Sequence, residues 1–369
     1  MKKITSIVVL VAMLVCALAS CKAEETNTNV NATTTRPVRD VQDNLPAGLN
    51  YNNATVTIII DDNYETQRTL YSSALNNDVL NDAIYDRDNK VAERLGVKFK
   101  WILVQNAEGQ AEDSIKSGLD EYSIVADSSI ALYADGAKGY YTNLLSDRAK
   151  YIELDQPYWN SYIAEQAKID GKVFALTGDL SLTLMKYVYA TFFNKNLLSK
   201  MNKDVNLYDI VDKGEWTIDK QLEIIKNTYI DVLGDGRTHD DIYGLGFDDC
   251  GTLDTYWSAF DLTMVKRDEN GTPSIDPDIS KFDAVVSKLY SIMYENKDAY
   301  YIPAMQYEDS YVTETINKFA SDEFLFTTLT LQACDSKTVR DMESEYGIIP
   351  MPKWDTAQED YYSFVGDGH

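Results

Sequence analysis

Histidine is almost missing from this chain: 369 residues contain only His239, in an acidic turn, and the terminal His369. A His-based zinc motif therefore has no material, and no nucleophile elbow or P-loop occurs either. These absences favour a protein that binds without doing chemistry. Basic residues are also scarce, 34 Lys and Arg against 59 Asp and Glu, for a formal charge of −25. Nucleic acid and anionic lipid need a basic face, so neither is expected as a partner. The acidity reads as a solvated surface that keeps the chain in solution. Cysteine numbers four, with no CxxC pair, which leaves no zinc or redox motif. No apolar run beyond the N-terminus is long enough to span a membrane, which needs ~20 residues.

What is present begins with Met1, Lys2 and Lys3, followed by an apolar run from Ile4 to Ala19 interrupted at Thr5 and Ser6. A charged start, a short apolar core and small residues before a cut site make a secretory signal peptide. The run ends Leu18-Ala19-Ser20-Cys21, which resembles the lipobox of bacterial lipoproteins. That resemblance implies cleavage after residue 20, a lipid on Cys21, and a chain held at the outer face of the cytoplasmic membrane. Residues 21–50 are rich in Asn and Thr and poor in large apolar side chains, as a flexible tether is. Its reach is on the order of 30 Å. Cys16 leaves with the signal, and Cys250 and Cys334 read as free thiols rather than a disulfide.

Beyond the tether, Thr55–Ile60 reads as a buried strand, Asn81–Leu95 as a helix closed by Gly96, and Val97–Val104 as a second strand. A helix over Ala111–Ser117 and a strand over Tyr122–Ala126 follow. Alternating strands and helices predict an α/β lobe with a largely parallel sheet, here over residues 51–180. Ligands in such sheets lie beyond the carboxyl ends of the strands. There the sequence offers Asp62, Asn63 and Tyr64 after the first strand, and Asp127, Ser128 and Ser129 after the third. Carboxylates and hydroxyls suit sugar hydroxyls, which both donate and accept.

Gly171–Leu176 and Lys186–Phe193 read as adjacent strands whose linking loop, Thr177–Leu184, would cross between lobes; Asp179 beside it is another ligand candidate. A second lobe, residues 181–330, reads as mostly helical from Trp216 to Phe326, with Thr217 capping a helix. Tyr256 and Trp257 are candidates for stacking on a sugar ring, in a chain with 26 tyrosines and five tryptophans. Trp101, Trp159 and Trp216 are expected to pack. Residues 331–369 return toward the first lobe, with a short strand in Tyr346–Pro352. The acids at Asp231, Asp235, Asp240 and Asp241 fail the calcium-loop pattern, because Leu233 and Ile242 stand at its third and twelfth places. They read as a solvent loop, and no metal or cofactor is expected.

Several segments together resemble a family. Ile152–Trp159 is similar to an Asp-Leu…Pro-Trp-Trp segment, and Gly171-Lys172-Val173-Phe174 with Gly178-Asp179 to a Gly-Lys-x-Tyr…Gly-Asp run. Phe192–Leu198 resembles Tyr/Phe-Asn-Lys-x-Leu, Gly214–Asp219 resembles Gly-x-Trp-Thr-x-Asp, and Asp235-Gly236 through Tyr243-Gly244 resembles Asp-Gly…Tyr-Gly. Ile348–Lys353 with Gln358 and Tyr361 resembles Ile-x-Pro-x-Pro-Lys…Gln…Tyr. The chain is similar in these to bacterial extracellular solute-binding proteins of family 1, the binding components of ABC importers. The resemblance implies a two-lobed type II periplasmic-binding fold with a hinge and an inter-lobe cleft. It also implies a small solute, most often a mono- or oligosaccharide, delivery to ABC permease subunits, and a monomer. The family runs on past this point, so a C-terminally truncated chain is expected. Two other functions fit the same sequence: a surface glycan sensor, and a hydrolase working with two carboxylates.

Overall fold

A computed structural model describes residues 43–62, 69–201, 203–248, 251–268, 272–303 and 311–366. The signal peptide, Cys21, most of the tether, Asn63, Tyr64, Cys250 and His369 lie outside the described residues.

The first lobe is built on β1 (Ala54–Asp61), α1 (Val79–Leu95), β2 (Val97–Val104), α2 (Ala107–Lys116), β3 (Ile124–Ala126) and α3 (Ser129–Ala137). Its sheet is wholly parallel, in the order β2-β1-β3. The β-branched run Ile58-Ile59-Ile60 is buried because β1 is central, with Ile59 opposite Ile102 on one side and Val125 on the other. Asp78 caps α1 by accepting from Leu80 N and Asn81 N, and Gly96, in the left-handed region, closes it as expected. Residues 140–180 cover this lobe without a ladder of their own. Leu144 N donates to Val173 O at 2.7 Å, and Phe174 packs against Gly136 of α3.

The second lobe carries a five-stranded sheet in the order β10-β4-β9-β5-β8. Its strands are β4 (Tyr189–Asn194), β5 (Tyr243–Asp248), β8 (Ala299–Ile302), β9 (Phe324–Thr330) and β10 (Tyr346–Ile349). A separate hairpin pairs β6 (Val265–Arg267) with β7 (Pro273–Ile275). The helices α4 (Lys195–Lys200), α5 (Ile218–Ile225), α6 (Gly251–Ala259), α7 (Ile279–Tyr290) and α8 (Tyr311–Ala320) surround the sheet. Its main core gathers Trp216, Phe247, Tyr256, Phe260 and Phe326.

Three expectations change here. Trp216–Phe326 is not mostly helical, since it holds β5, β8 and the start of β9, which run parallel, with β5 and β9 inside the sheet and β8 at its edge. Both faces of β5 and β9 are buried, so their sequences show no alternation and cannot be told from buried helix by periodicity. Gly171–Leu176 forms no strand; only the isolated bridge Ile169↔Lys172 touches it. Lys186 belongs to a helical turn, Thr183–Lys186, and pairing begins at Tyr189. Bonds on either side of Val188 fix the chain's entry into β4. Tyr189 N donates to Phe364 O at 3.0 Å, Gly366 N to Tyr187 O at 2.9 Å, and Leu331 N to Val188 O at 2.9 Å. Lys186 Nζ secures it with an ion pair to Asp335 at 2.8 Å.

The acidic loop is also unlike a simple solvent loop. Asp241 is fully buried and accepts from Val232 N at 2.9 Å, Thr238 N at 2.7 Å and the Tyr229 hydroxyl at 3.1 Å. Asp231 accepts from Gly234 N and Gly236 N, so both acids are spent on their own loop. Lys318, itself buried, reaches from α8 to His239 O and to Glu323. The Thr238 amide, ahead of the other donors, holds the Asp241 carboxyl below the ordinary aspartate value of 3.8. A depressed folded value gives stability above the unfolded pKa and loses it as pH falls through the folded one. Asp241→Asn is thus expected to melt lower than the parent at neutral pH, with the gap closing below the ordinary aspartate range. Thermal melts from pH 7 to 2.5 check this, and a gap that stays constant with pH would count against it.

Candidate functional site

In a sheet ordered β2-β1-β3, the chain leaving β1 runs to β2 on one side while β3 pairs on the other, so the strand order switches between β1 and β3. Asp61 and Asp62 stand at the carboxyl end of β1, and Asp127, Ser128 and Ser129 follow the carboxyl end of its neighbour β3. Asp62 is exposed, and its amide donates to Val104 O at 2.7 Å, which fixes the backbone as it leaves the sheet. Asp61, which the sequence reading passed over, accepts from Asn106 N at 3.2 Å and ties β1 to the start of α2.

Asp127 is only 9% exposed, and both of its oxygens are engaged. Oδ2 accepts from Glu108 N at 2.9 Å, in the first turn of α2, and Oδ1 accepts from Ser128 N at 2.7 Å. Ser128 caps α3, with its Oγ accepting from Ala131 N. Both residues hold helix N-termini to the rim, where unpaired N–H groups favour negative charge. Ser129, the first residue of α3, is half-buried. Behind them Tyr141 donates to the buried Asp135 at 3.4 Å. Burial, then the Asp135 charge, pushes the Tyr141 hydroxyl well above the tyrosine range, so it stays a neutral donor at any physiological pH.

Asp179 stands in a different turn. Trp159 bridges Gly178, and Asp179 N donates to Tyr158 O at 2.8 Å. A Cβ on Gly178 would sit 2.1 Å from Tyr158 O, so only glycine allows these two segments to touch. Arg87 of α1 donates to Leu180 O at 2.7 Å and Leu70 O at 2.7 Å, locking the turn to the first lobe. The Asp179 side chain remains exposed.

The aromatic candidates fare differently. Tyr256 is 1% exposed within the main core, and burial pushes its hydroxyl up to about 12. It has no face to offer a sugar. Trp257 is half-buried and stacks on Phe282 of α7, with centroids 5.2 Å apart and planes 9° from parallel, so one of its faces is taken. The helical pattern around both residues was the signal for packing. At the carboxyl end of β5 the structure instead places Asp248, 3% exposed, which accepts from Thr315 Oγ1 at 3.2 Å. Reading Tyr243–Asp248 as a strand would have found it.

The motif-bearing segments meet around the end of β4 and the segment that follows β10. Trp216 Nε1 donates to Pro350 O at 2.9 Å, Trp216 N to the Tyr361 hydroxyl at 3.2 Å, and Ile218 N to Lys353 O at 2.9 Å. Buried Lys353 donates to Gln358 O at 2.9 Å, and its ammonium lies 5.0 Å from the Tyr361 ring centroid. Asn194 caps α4 through Leu197 N at 2.8 Å and donates to Asp322 at 2.5 Å. These contacts are all internal to the protein.

Comparison with known proteins follows this geometry. No protein-family model matches the chain, and no curated protein matches it. Solved structures do. The M. tuberculosis UspC structure superposes with a TM-score of 0.51 and 14% identity, over 81% of this chain and 68% of that one. The maltose/maltodextrin-binding domain MalE of Bdellovibrio bacteriovorus, bound to maltotriose, gives 0.50 and 12% identity, over 85% of this chain and 70% of that one. The fold is that of the type II periplasmic-binding proteins. Proteins of this fold class close by a hinge motion between two lobes. Among the described residues no helix is long and apolar enough to cross a membrane, and no cluster of three or more acids, histidines or cysteines could hold a metal. Cys334 is a free, half-buried thiol.

Proposed function

We propose that this protein is the solute-binding component of an ABC importer, related to extracellular solute-binding family 1. In this reading it captures a mono- or oligosaccharide between its lobes and presents it to permease subunits. The supporting observation is the two-sheet fold, with polar loops at the carboxyl ends of β1 and β3 and a narrow bonded crossing between lobes. The chain acts without catalysis, from outside the cytoplasmic membrane, anchored by a lipid on Cys21. Asp62, Asn63, Tyr64, Ser129 and Asp179 make the ligand contacts, while Asp127 and Ser128 position the rim they sit on.

Paired variants separate those roles. Asp127→Ala removes a helix-terminal acceptor and is expected to destabilise the ligand-free protein by about 1 kcal/mol. Asp62→Ala is melted in the ligand-free state as well, so that any change in stability there is separated from its effect on ligand. With a saccharide at a hundred times its dissociation constant, the parent gains about 2.7 kcal/mol. Asp62→Ala should lose most of that gain, as read by thermal unfolding with a panel including maltotriose. An equal gain in Asp62→Ala and the parent would remove Asp62 from the site. No gain from any saccharide in the parent would remove the saccharide.

A further inference from the structure

The hinge is not the only place where the lobes are bonded. Residues 161–168 belong with the first lobe: Asn160 N donates to Thr177 O, in the run whose Phe174 packs on α3 and whose Leu180 O accepts from Arg87 of α1. The β6–β7 hairpin belongs with the second. It springs from α6 and leads into α7, whose Ala259 and Val285 lie in that lobe's main core, and Asp276 N closes its base on Met264 O at 3.1 Å. Arg267 on β6 reaches across this division. Its Nη1 donates to Lys168 O at 2.9 Å, and its Nη2 donates to Gln166 O.

Both acceptors lie at the carboxyl end of the short helix Ser161–Gln166, where the last carbonyls lack intrahelical partners and carry partial negative charge. A guanidinium suits that place better than an ammonium, because its planar fork can serve two fixed carbonyls at once. We infer that Arg267 is a strap between the lobes, holding the hairpin to the Gln166–Lys168 turn and limiting how far the hinge can swing. Rotation about the Tyr187–Tyr189 and Phe364–Gly366 crossings moves the hairpin relative to that turn, so the two donated bonds must break before the lobes separate or twist.

This inference rests on the two-lobed fold and not on the identity of the solute, so its test uses none. Distance labels are introduced through unnatural amino acids at Lys90 of α1 and Ala284 of α7, both exposed, with the native cysteines left alone. In the full chain with Arg267 intact, pulsed dipolar spectroscopy should give one narrow distance distribution. Arg267→Met should broaden or shift it by several ångström, on the scale of hinge motions. Arg267→Lys keeps the charge but cannot fork, so it should fall between the two. It also serves as the folded comparison should the methionine variant unfold. Circular dichroism confirms the fold in each case. Distributions that coincide in all three folded proteins would overturn the strap.

Discussion

Trp216→Ala should cost about 3–5 kcal/mol of stability, the range for emptying a buried tryptophan site. Trp216 is fully buried, packs on Phe326 with centroids 5.6 Å apart, and donates to Pro350 O. The alanine leaves a cavity in the main core and an unsatisfied buried carbonyl. It also loosens the seam where Lys353, Gln358 and Tyr361 converge, far along the chain from residue 216. Trp216→Phe keeps much of the ring but not the donor, and should lose about 1–3 kcal/mol for the orphaned carbonyl and the smaller volume. Urea titrations of both variants measure this. A loss under about 1 kcal/mol for the alanine variant would show that the seam is not a structural joint.

The second large effect is expected at Gly246. On β5 this residue faces Phe324, and a Cβ there would lie 2.1 Å from two ring carbons. Phe324 is fully buried and cannot swing into solvent, so the ring or the strand must shift. Overpacking of this kind costs about 1–3 kcal/mol, occasionally more. Gly246→Ala is therefore expected to lower the melting temperature by several degrees. Shrinking the neighbour with Phe324→Leu should recover part of the loss, because the two changes share one space. Strictly additive losses in the double variant would mean that the close approach is not what requires glycine.

These two sites also show what could be read from the chain alone. The strand–helix–strand order of the first lobe was legible because β1 ends in polar residues and Gly96 marks the close of α1, whereas its start at Val79, capped by Asp78, lies two residues before the expected Asn81. The interior strands of the second lobe were not, because burial on both faces removes the period-two signal and leaves short apolar runs. Missing β5 hid Asp248 and made Tyr256 and Trp257 look like surface aromatics. At the ends of β1 and β3 the sequence shows which polar residues are present but not how they are occupied. Only coordinates show that both Asp127 oxygens already hold backbone amides while Asp62 stays exposed. The recurring Trp, Pro, Lys and Tyr positions pointed to a family-like arrangement, and the structure explains them as the joint between α5 and the segment after β10.

The central claim is that the cleft takes up a saccharide whole and returns it whole. Calorimetric titration of the full chain with a panel of mono- and oligosaccharides at two temperatures tests it most directly. The account predicts saturable heat with one class of sugar, one site per chain, a negative heat-capacity change as the lobes bury surface around it, and recovery of the sugar unaltered. Absence of heat with every sugar from a cooperatively folded sample, or recovery of shorter glycans after incubation, would contradict it.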